Sequence, residues 1–145
     1  MKLNTCSSVI SFAKQMETEL ANFYENVAEK NTEKKDLFLD LAKENRKFIN
    51  QIESAYYGVI TDAIEGCFAF ELDTDKHKID ASTSNITGLA EALTKAIELE
   101  EKMVSFYNDA AEQSKTLMAD VPRAFALVAK KRGSRIQTLK SLLKK

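Results

Sequence analysis

The amino-acid sequence predicts an all-α protein built from four long helices. Four segments each carry apolar residues at alternating spacings of three and four, which places those residues on one face of an α-helix. The chain also has only one proline and four glycines among its 145 residues, so little in it interrupts long helices. At this length a single domain over residues 1–145 is expected.

The first two segments form a predicted helical hairpin. The first runs from about Ser8 to Lys30 and the second from about Lys34 to Val59. Only the short Asn31-Thr32 connection lies between them, which favours an antiparallel arrangement. The row of apolar residues along one face of each segment is called its seam. Glu17 interrupts the seam of the first segment, and Asn45 interrupts that of the second.

The last two segments form a second predicted hairpin. They run from about Gly88 to Ser114 and from about Pro122 to Leu143. Pro122 suits a first helical position because no backbone N–H is needed there. Glu100 interrupts the third seam, and Arg132 and Arg135 interrupt the fourth.

Residues 58–87 connect the two hairpins and mix aromatic, acidic and turn-forming residues. A connection of this length can carry the chain from one end of a bundle to the other, which gives two antiparallel hairpins joined by a long crossover. Phe68, Phe70 and Leu72 are expected to pack against the bundle. A small strand and a short helix both remain open for this stretch. His77 is expected in a solvated loop, with an isolated metal site beside nearby aspartates as the alternative.

The two hairpins also repeat each other weakly in sequence. ETELANFY at 17–24 matches EEKMVSFY at 100–107, so a glutamate precedes a tyrosine by seven residues in both. LAKENRKF at 41–48 matches VAKKRGSR at 128–135. Two similar hairpins are therefore expected to pack face to face with pseudo-twofold symmetry.

This repeat resembles the rubrerythrin branch of the ferritin-like superfamily over nearly the whole chain. In that family the odd helices carry a glutamate seven residues before Phe-Tyr, and the even helices carry Leu-Ala-x-x-Glu-x-x-His. These residues hold a di-iron centre that reduces peroxide or activates oxygen. Anionic oxygens suit iron, and residues three apart share a helix face. The resemblance implies a ferritin-like four-helix bundle.

Most of the iron ligands that the resemblance implies are replaced in this chain. Glu17 and Glu100 match the odd-helix glutamates, but a glutamate and a histidine are replaced in each even helix. The replacements are Asn45 and Phe48 in the second segment and Arg132 and Arg135 in the fourth. Arginine stays protonated and offers only donors, so it cannot ligate a cation.

The replacements suggest an internal ion-pair network instead of a metal. Buried carboxylates need partners, and guanidinium groups supply them through bidentate pairing. The sequence therefore predicts a structural network and no catalytic or cofactor-binding residues. Its predicted members are Glu17, Glu100, Arg132, Arg135 and Asn45.

Other placements of these residues stay open at this point. Glu17 and Glu100 could be exposed, with Met16 or Leu99 facing the core. Arg132 and Arg135 could share a solvated basic face with Lys130 and Lys131. Alternatively, Glu44 or Glu101 could add oxygens to Glu17 and Glu100 in a residual iron site. Binding of a small ligand in the core is a third option, although no sequence feature identifies a ligand.

Composition limits the classes of partner. The net charge of −1 gives no global attraction to nucleic acid or to acidic membranes. Cys6 and Cys67 form no CxxC pair and are expected to pack as small apolar residues. No apolar run approaches the roughly 18 residues of a membrane span, and the N-terminus has no apolar signal-like region. A cytoplasmic protein is expected, with homodimerisation open and no nucleic-acid or membrane partner.

The functional prediction is a degenerate rubrerythrin-like bundle without a functional di-iron centre. Such a protein would be a non-catalytic structural or interaction protein with no cofactor. The alternative is a rubrerythrin-like metal-binding oxidoreductase whose residual iron site acts on peroxide or oxygen.

Overall fold

The computed structural model describes residues 2–59, 70–84, 86–114 and 120–144. The described chain is mostly helical, and its two strands have only two residues each, so the predicted all-α class is confirmed. A 3₁₀ turn at Thr32–Lys34 joins the first two helices. In chain order the elements are β1 Lys2–Leu3, α1 Cys6–Lys30, α2 Lys35–Val59, β2 Leu72–Asp73, α3 Thr74–His77, α4 Leu89–Ser114 and α5 Asp120–Leu143.

Helix α1 begins two residues earlier than the sequence pattern suggested. Thr5 is its N-cap, and the Thr5 hydroxyl accepts a hydrogen bond from the backbone N–H of Ser8 at 3.1 Å. The Ser8 hydroxyl accepts in return from the backbone N–H of Thr5 at 3.3 Å. This reciprocal capping box satisfies two donors that the first helical turn would otherwise leave unpaired.

Four long helices pack into a helical bundle. Helix α1 lies along α2, and α4 lies along α5, while α2 also contacts α5 and α1 contacts α4. The interior is filled by the seams of all four helices, with aromatic rings as its largest apolar members. The fully buried phenylalanines are Phe23, Phe38, Phe48, Phe106 and Phe125.

The described part of the crossover holds both a strand and a short helix. Phe70 and Leu72 are buried, as expected. Strand β2 pairs antiparallel with β1, so Leu72 and Asp73 of the crossover are paired with Leu3 and Lys2. The expectations for Phe68 and Cys67 lie outside the described residues.

His77 does not lie in a solvated loop, and that prediction was wrong. The residue is only 5% exposed and sits at the end of α3. Its Nε2 lies 3.1 Å from Oδ2 of Asp109 on α4. Its ring meets the Phe106 ring edge-on, with centroids 5.6 Å apart. The crossover is therefore held against α4 by a contact that helical periodicity cannot reveal.

Candidate functional site: a buried ion-pair network

Five polar side chains converge inside the bundle, and every long helix contributes at least one. They are Glu17 from α1, Asn45 from α2, Glu100 from α4, and Arg132 and Arg135 from α5. Arg135 is 5% exposed and the other four are fully buried. Each side chain occupies a seam position, so the same helical period that buries the apolar residues also buries these polar ones.

The two alternative placements of these residues do not occur. Met16 and Leu99 are buried as well, but they do not displace Glu17 and Glu100 from the interior. Lys130 and Lys131 are exposed on α5, whereas Arg132 and Arg135 on the same helix are buried.

Arg132 bridges the two buried glutamates. Its Nη1 donates to Oε2 of Glu100 at 2.5 Å, and its Nη2 donates to Oε1 of Glu17. A planar guanidinium presents its donors as a rigid fork, so one side chain can span two carboxylates in this way. One cation therefore links α1, α4 and α5 at the centre of the bundle.

Arg135 connects the interior to the surface. Its Nη1 donates to Oδ1 of Asn45 at 2.6 Å and to Oε1 of Glu100 at 2.8 Å. Its Nη2 donates to Oε1 of Glu44, whose side chain is 46% exposed. Glu44, considered above as an oxygen donor to iron, is thus an ion-pair partner of Arg135.

Two tyrosines complete the hydrogen bonding of the carboxylates. The Tyr24 hydroxyl on α1 donates to Oε1 of Glu100 at 2.6 Å, and the Tyr107 hydroxyl on α4 donates to Oε2 of Glu17 at 2.5 Å. Each tyrosine thus serves the glutamate of the other hairpin, which matches the repeat in the sequence. All four carboxylate oxygens of Glu17 and Glu100 therefore have donors.

Aromatic faces surround the two guanidinium groups. The centre of the Phe48 ring lies 5.0 Å from the guanidinium carbon of Arg132 and 5.3 Å from that of Arg135. Arg132 also lies 5.8 Å from the Tyr107 ring, and Arg135 lies 5.8 Å from the Tyr24 ring. The electron-rich faces of these rings attract cations. The Phe48 ring therefore accommodates both arginines.

The two glutamates ionise differently because their partners differ. Burial raises the pKa of Glu17 above its usual value, and the opposing effects of Arg132 and Tyr107 do not cancel that rise. Burial acts on Glu100 as well, but Arg132 and Arg135 outweigh it and hold its pKa below the usual value. Glu100 faces two guanidinium groups directly, whereas Glu17 faces one.

The two tyrosines and Arg132 keep the protonation states that their hydrogen bonds require. Burial and the charge of Glu100 raise the pKa of Tyr24 well above its usual value, and burial and Glu17 do the same for Tyr107. Both hydroxyls therefore remain donors. Burial opposes the charge of Arg132, but the two glutamates outweigh it and raise the arginine's pKa.

This donor set does not fit iron. Every oxygen of Glu17 and Glu100 already accepts a hydrogen bond, and the side chains beside them are cationic, as described above. Glu101, the other candidate for a residual site, is exposed on α4. Across residues 2–59, 70–84, 86–114 and 120–144, no three histidine, cysteine, aspartate or glutamate side chains are grouped so as to hold a metal ion.

Comparison with protein-family models, with curated proteins and with solved structures found no match. The resemblance to rubrerythrin-like proteins therefore rests on the motifs and their spacing. Among the described residues, no helix is both long and apolar enough to cross a membrane.

Proposed function

We propose that this chain is a ferritin-like, rubrerythrin-like four-helix bundle in which fixed positive charges stand in place of a di-iron centre. In this proposal the protein is non-catalytic and acts as a structural or interaction protein. The observation that carries the proposal is the guanidinium of Arg132, which bridges Glu17 and Glu100 at the centre of the bundle.

The charge balance of the interior supports the proposal. Two carboxylates, Glu17 and Glu100, face two guanidinium groups, Arg132 and Arg135, and all four are almost wholly buried. A divalent cation entering between the carboxylates would have to displace Arg132 and leave a buried cation without a partner. The cost of an unpaired buried charge is several kcal/mol, so occupation by metal is strongly disfavoured.

The packing of the helices supports the ferritin-like part of the proposal. Helices α1 and α2 pack as one pair and α4 and α5 as another, and residues 58–87 connect the two pairs along the sequence. The reciprocal contacts of Tyr24 with Glu100 and of Tyr107 with Glu17 relate the two pairs in the way that a duplicated hairpin would. Both features agree with two hairpins joined by a crossover.

The alternative, a residual iron enzyme acting on peroxide or oxygen, is not favoured by any observation on the described residues. It needs oxygens beyond those of Glu17 and Glu100. Glu44 pairs with Arg135, and Glu101 points to solvent.

Metal analysis tests the proposal directly. Protein expressed in iron-supplemented medium and then dialysed is expected to hold far less than one iron per chain. Near-stoichiometric iron that survives dialysis, and that is lost in Glu100→Gln but kept in the exposed Glu101→Gln, would overturn the proposal. Homodimerisation remains a separate prediction, which sedimentation analysis can check.

A reconstructed donor set provides the positive control. The four changes Asn45→Glu, Phe48→His, Arg132→Glu and Arg135→His restore the family's ligands beside Glu17 and Glu100. Uptake of iron by this variant, measured by the same metal analysis, is expected if these positions correspond to the family's ligand positions.

A further inference from the structure

A groove between α2 and α5 leads from solvent to the ion-pair network. It has a volume of about 260 Å³, and Arg135 and Glu44 are among its lining residues. We propose that this groove binds a small organic carboxylate on the guanidinium of Arg135, in the position that the Glu44 carboxylate takes in this structure. This inference goes beyond the proposed function, which assigns no ligand.

Arg135 is a rigidly positioned cation with one incompletely used edge. Its side chain is 3% exposed, and Asn45 and Glu100 fix its Nη1. Its Nη2 binds Glu44, whereas its buried Nε has no hydrogen-bond partner. Nε and Nη2 form one edge of the guanidinium, and this edge matches the two oxygens of a carboxylate. A carboxylate bound there would satisfy both donors, while Glu44 satisfies one.

Glu44 is suited to being displaced. Its side chain is 46% exposed, so its carboxylate can return to water without leaving a buried charge. The Glu44 carboxylate regains solvation when it leaves, and the entering carboxylate takes its place on the buried guanidinium, so no buried charge loses its partner. Exchange of this carboxylate for another one is therefore inexpensive, and Arg135 stays paired with Glu100 throughout.

The walls of the groove favour an organic acid over an inorganic anion. Leu37, Leu41 and Leu139 provide apolar surface beside the guanidinium, and Lys131 adds a second positive charge. An anion with a short hydrocarbon chain would place its carboxylate on Arg135 and bury the chain against the leucines. Inorganic phosphate would gain the charge contacts but not the apolar burial.

Titration with sodium hexanoate tests the inference, with sodium chloride at equal ionic strength as the control. The chain has four arginines, so the Nε–Hε correlation of Arg135 can be followed by NMR as one of four signals. Hexanoate is expected to shift this signal saturably. Glu44→Gln removes the competing anion and is expected to tighten binding roughly tenfold, because charged hydrogen bonds are about twice as strong as neutral ones. Glu101→Gln makes the same charge change on α4 and is expected to leave the affinity unchanged.

Four outcomes would overturn the inference. They are a signal that does not saturate, an equal shift with chloride, an affinity unchanged in Glu44→Gln, and, in a parallel titration with sodium phosphate, binding as tight as that of hexanoate. Lys131→Gln is expected to weaken hexanoate binding severalfold while leaving the interior intact, since Lys131 is exposed. The iron measurement on the same samples reports on the proposed function independently of these results.

Discussion

Arg132 can lie inside the bundle because its guanidinium pairs with two carboxylates of opposite charge, those of Glu17 and Glu100. Taking a charged group out of water costs several kcal/mol, which the pairing with Glu17 and Glu100 must offset. Such a pair is not in itself more stabilising than well-packed apolar residues. Loss of one member is different, because the remaining charges stay buried without partners.

The substitution Arg132→Leu is expected to lower the free energy of unfolding by about 3–5 kcal/mol, since it leaves Glu17 with one donor and removes a cation from Glu100. Urea denaturation measures this change. Lys130→Leu, an exposed change on the same helix, is the control and is expected to stay within about 0.5 kcal/mol of the wild type. If the two variants unfolded at the same urea concentration, Arg132 would not be an essential partner of the glutamates.

Removal of the hydroxyl is expected to destabilise the protein more at Tyr107 than at Tyr24. Tyr107→Phe removes one of two donors to Glu17, whereas Tyr24→Phe removes one of three to Glu100. Loss of a buried partner costs about 1–3 kcal/mol, and the cost is larger where fewer donors remain. Tyr107→Phe should therefore lower the urea midpoint more than Tyr24→Phe does. The reverse order would contradict the donor assignment.

At the scale of elements, the crossover is fixed to the bundle at several separate points. Strand β2 pairs with β1, and Phe70 and Leu72 are buried. His77 is bound to Asp109, and the side chain of Gln113 on α4 also donates to Oδ1 of that aspartate at 2.9 Å. The described crossover is therefore part of the packed structure, and α4 provides much of the surface that it covers.

His77→Ala is expected to lower the free energy of unfolding by about 2–4 kcal/mol, because it removes a buried ring and a hydrogen bond together. Lys76→Ala changes the exposed neighbouring residue of α3 and should have little effect. Both values can be read from urea denaturation. Equal midpoints for the two variants would show that the crossover does not depend on His77.

At the scale of the whole molecule, the charges divide into an interior set and a surface set. The interior set holds two acids and two bases, so it adds nothing to the net charge of −1. The stability of the molecule should nevertheless depend on pH, because the pKa values of Glu17 and Glu100 are shifted in opposite directions from 4.5.

The pKa of Glu100 is lowered, so its stabilising contribution is full above pH 4.5 and is lost as the pH falls through its folded pKa. The pKa of Glu17 is raised, so its contribution is full below pH 4.5 and is lost as the pH rises through its folded pKa. The stability difference between the wild type and Glu100→Gln should therefore shrink in acid. The corresponding difference for Glu17→Gln should shrink above pH 4.5. Denaturation at a series of pH values checks both, and parallel slopes for the two variants would contradict this asymmetry.

Sequence reasoning located the four long helices because each one buries a face with helical period. It also indicated the buried partners of Glu17 and Glu100, since charges at seam positions must be compensated. It missed the pairing of Glu44 with Arg135, because Glu44 lies off the seam and its contact depends on how closely α2 approaches α5. It misplaced His77 because the burial of that residue comes from a distant part of the chain. The start of α1 differed because Thr5 is the cap, which places the first helical residue at Cys6 rather than near Ser8.

The bridging guanidinium also restricts how this sequence can change over evolutionary time. Arg132 contacts Glu17 and Glu100 at once, so a lineage that loses the arginine first is left with two buried carboxylates that lack this partner. A lineage that loses either acid first inherits surplus positive charge. Neutral drift at one of these positions is thus blocked by the other two, and escape requires a severely weakened intermediate or nearly simultaneous replacements. Descendants of this chain should retain the trio intact or abandon it as a unit.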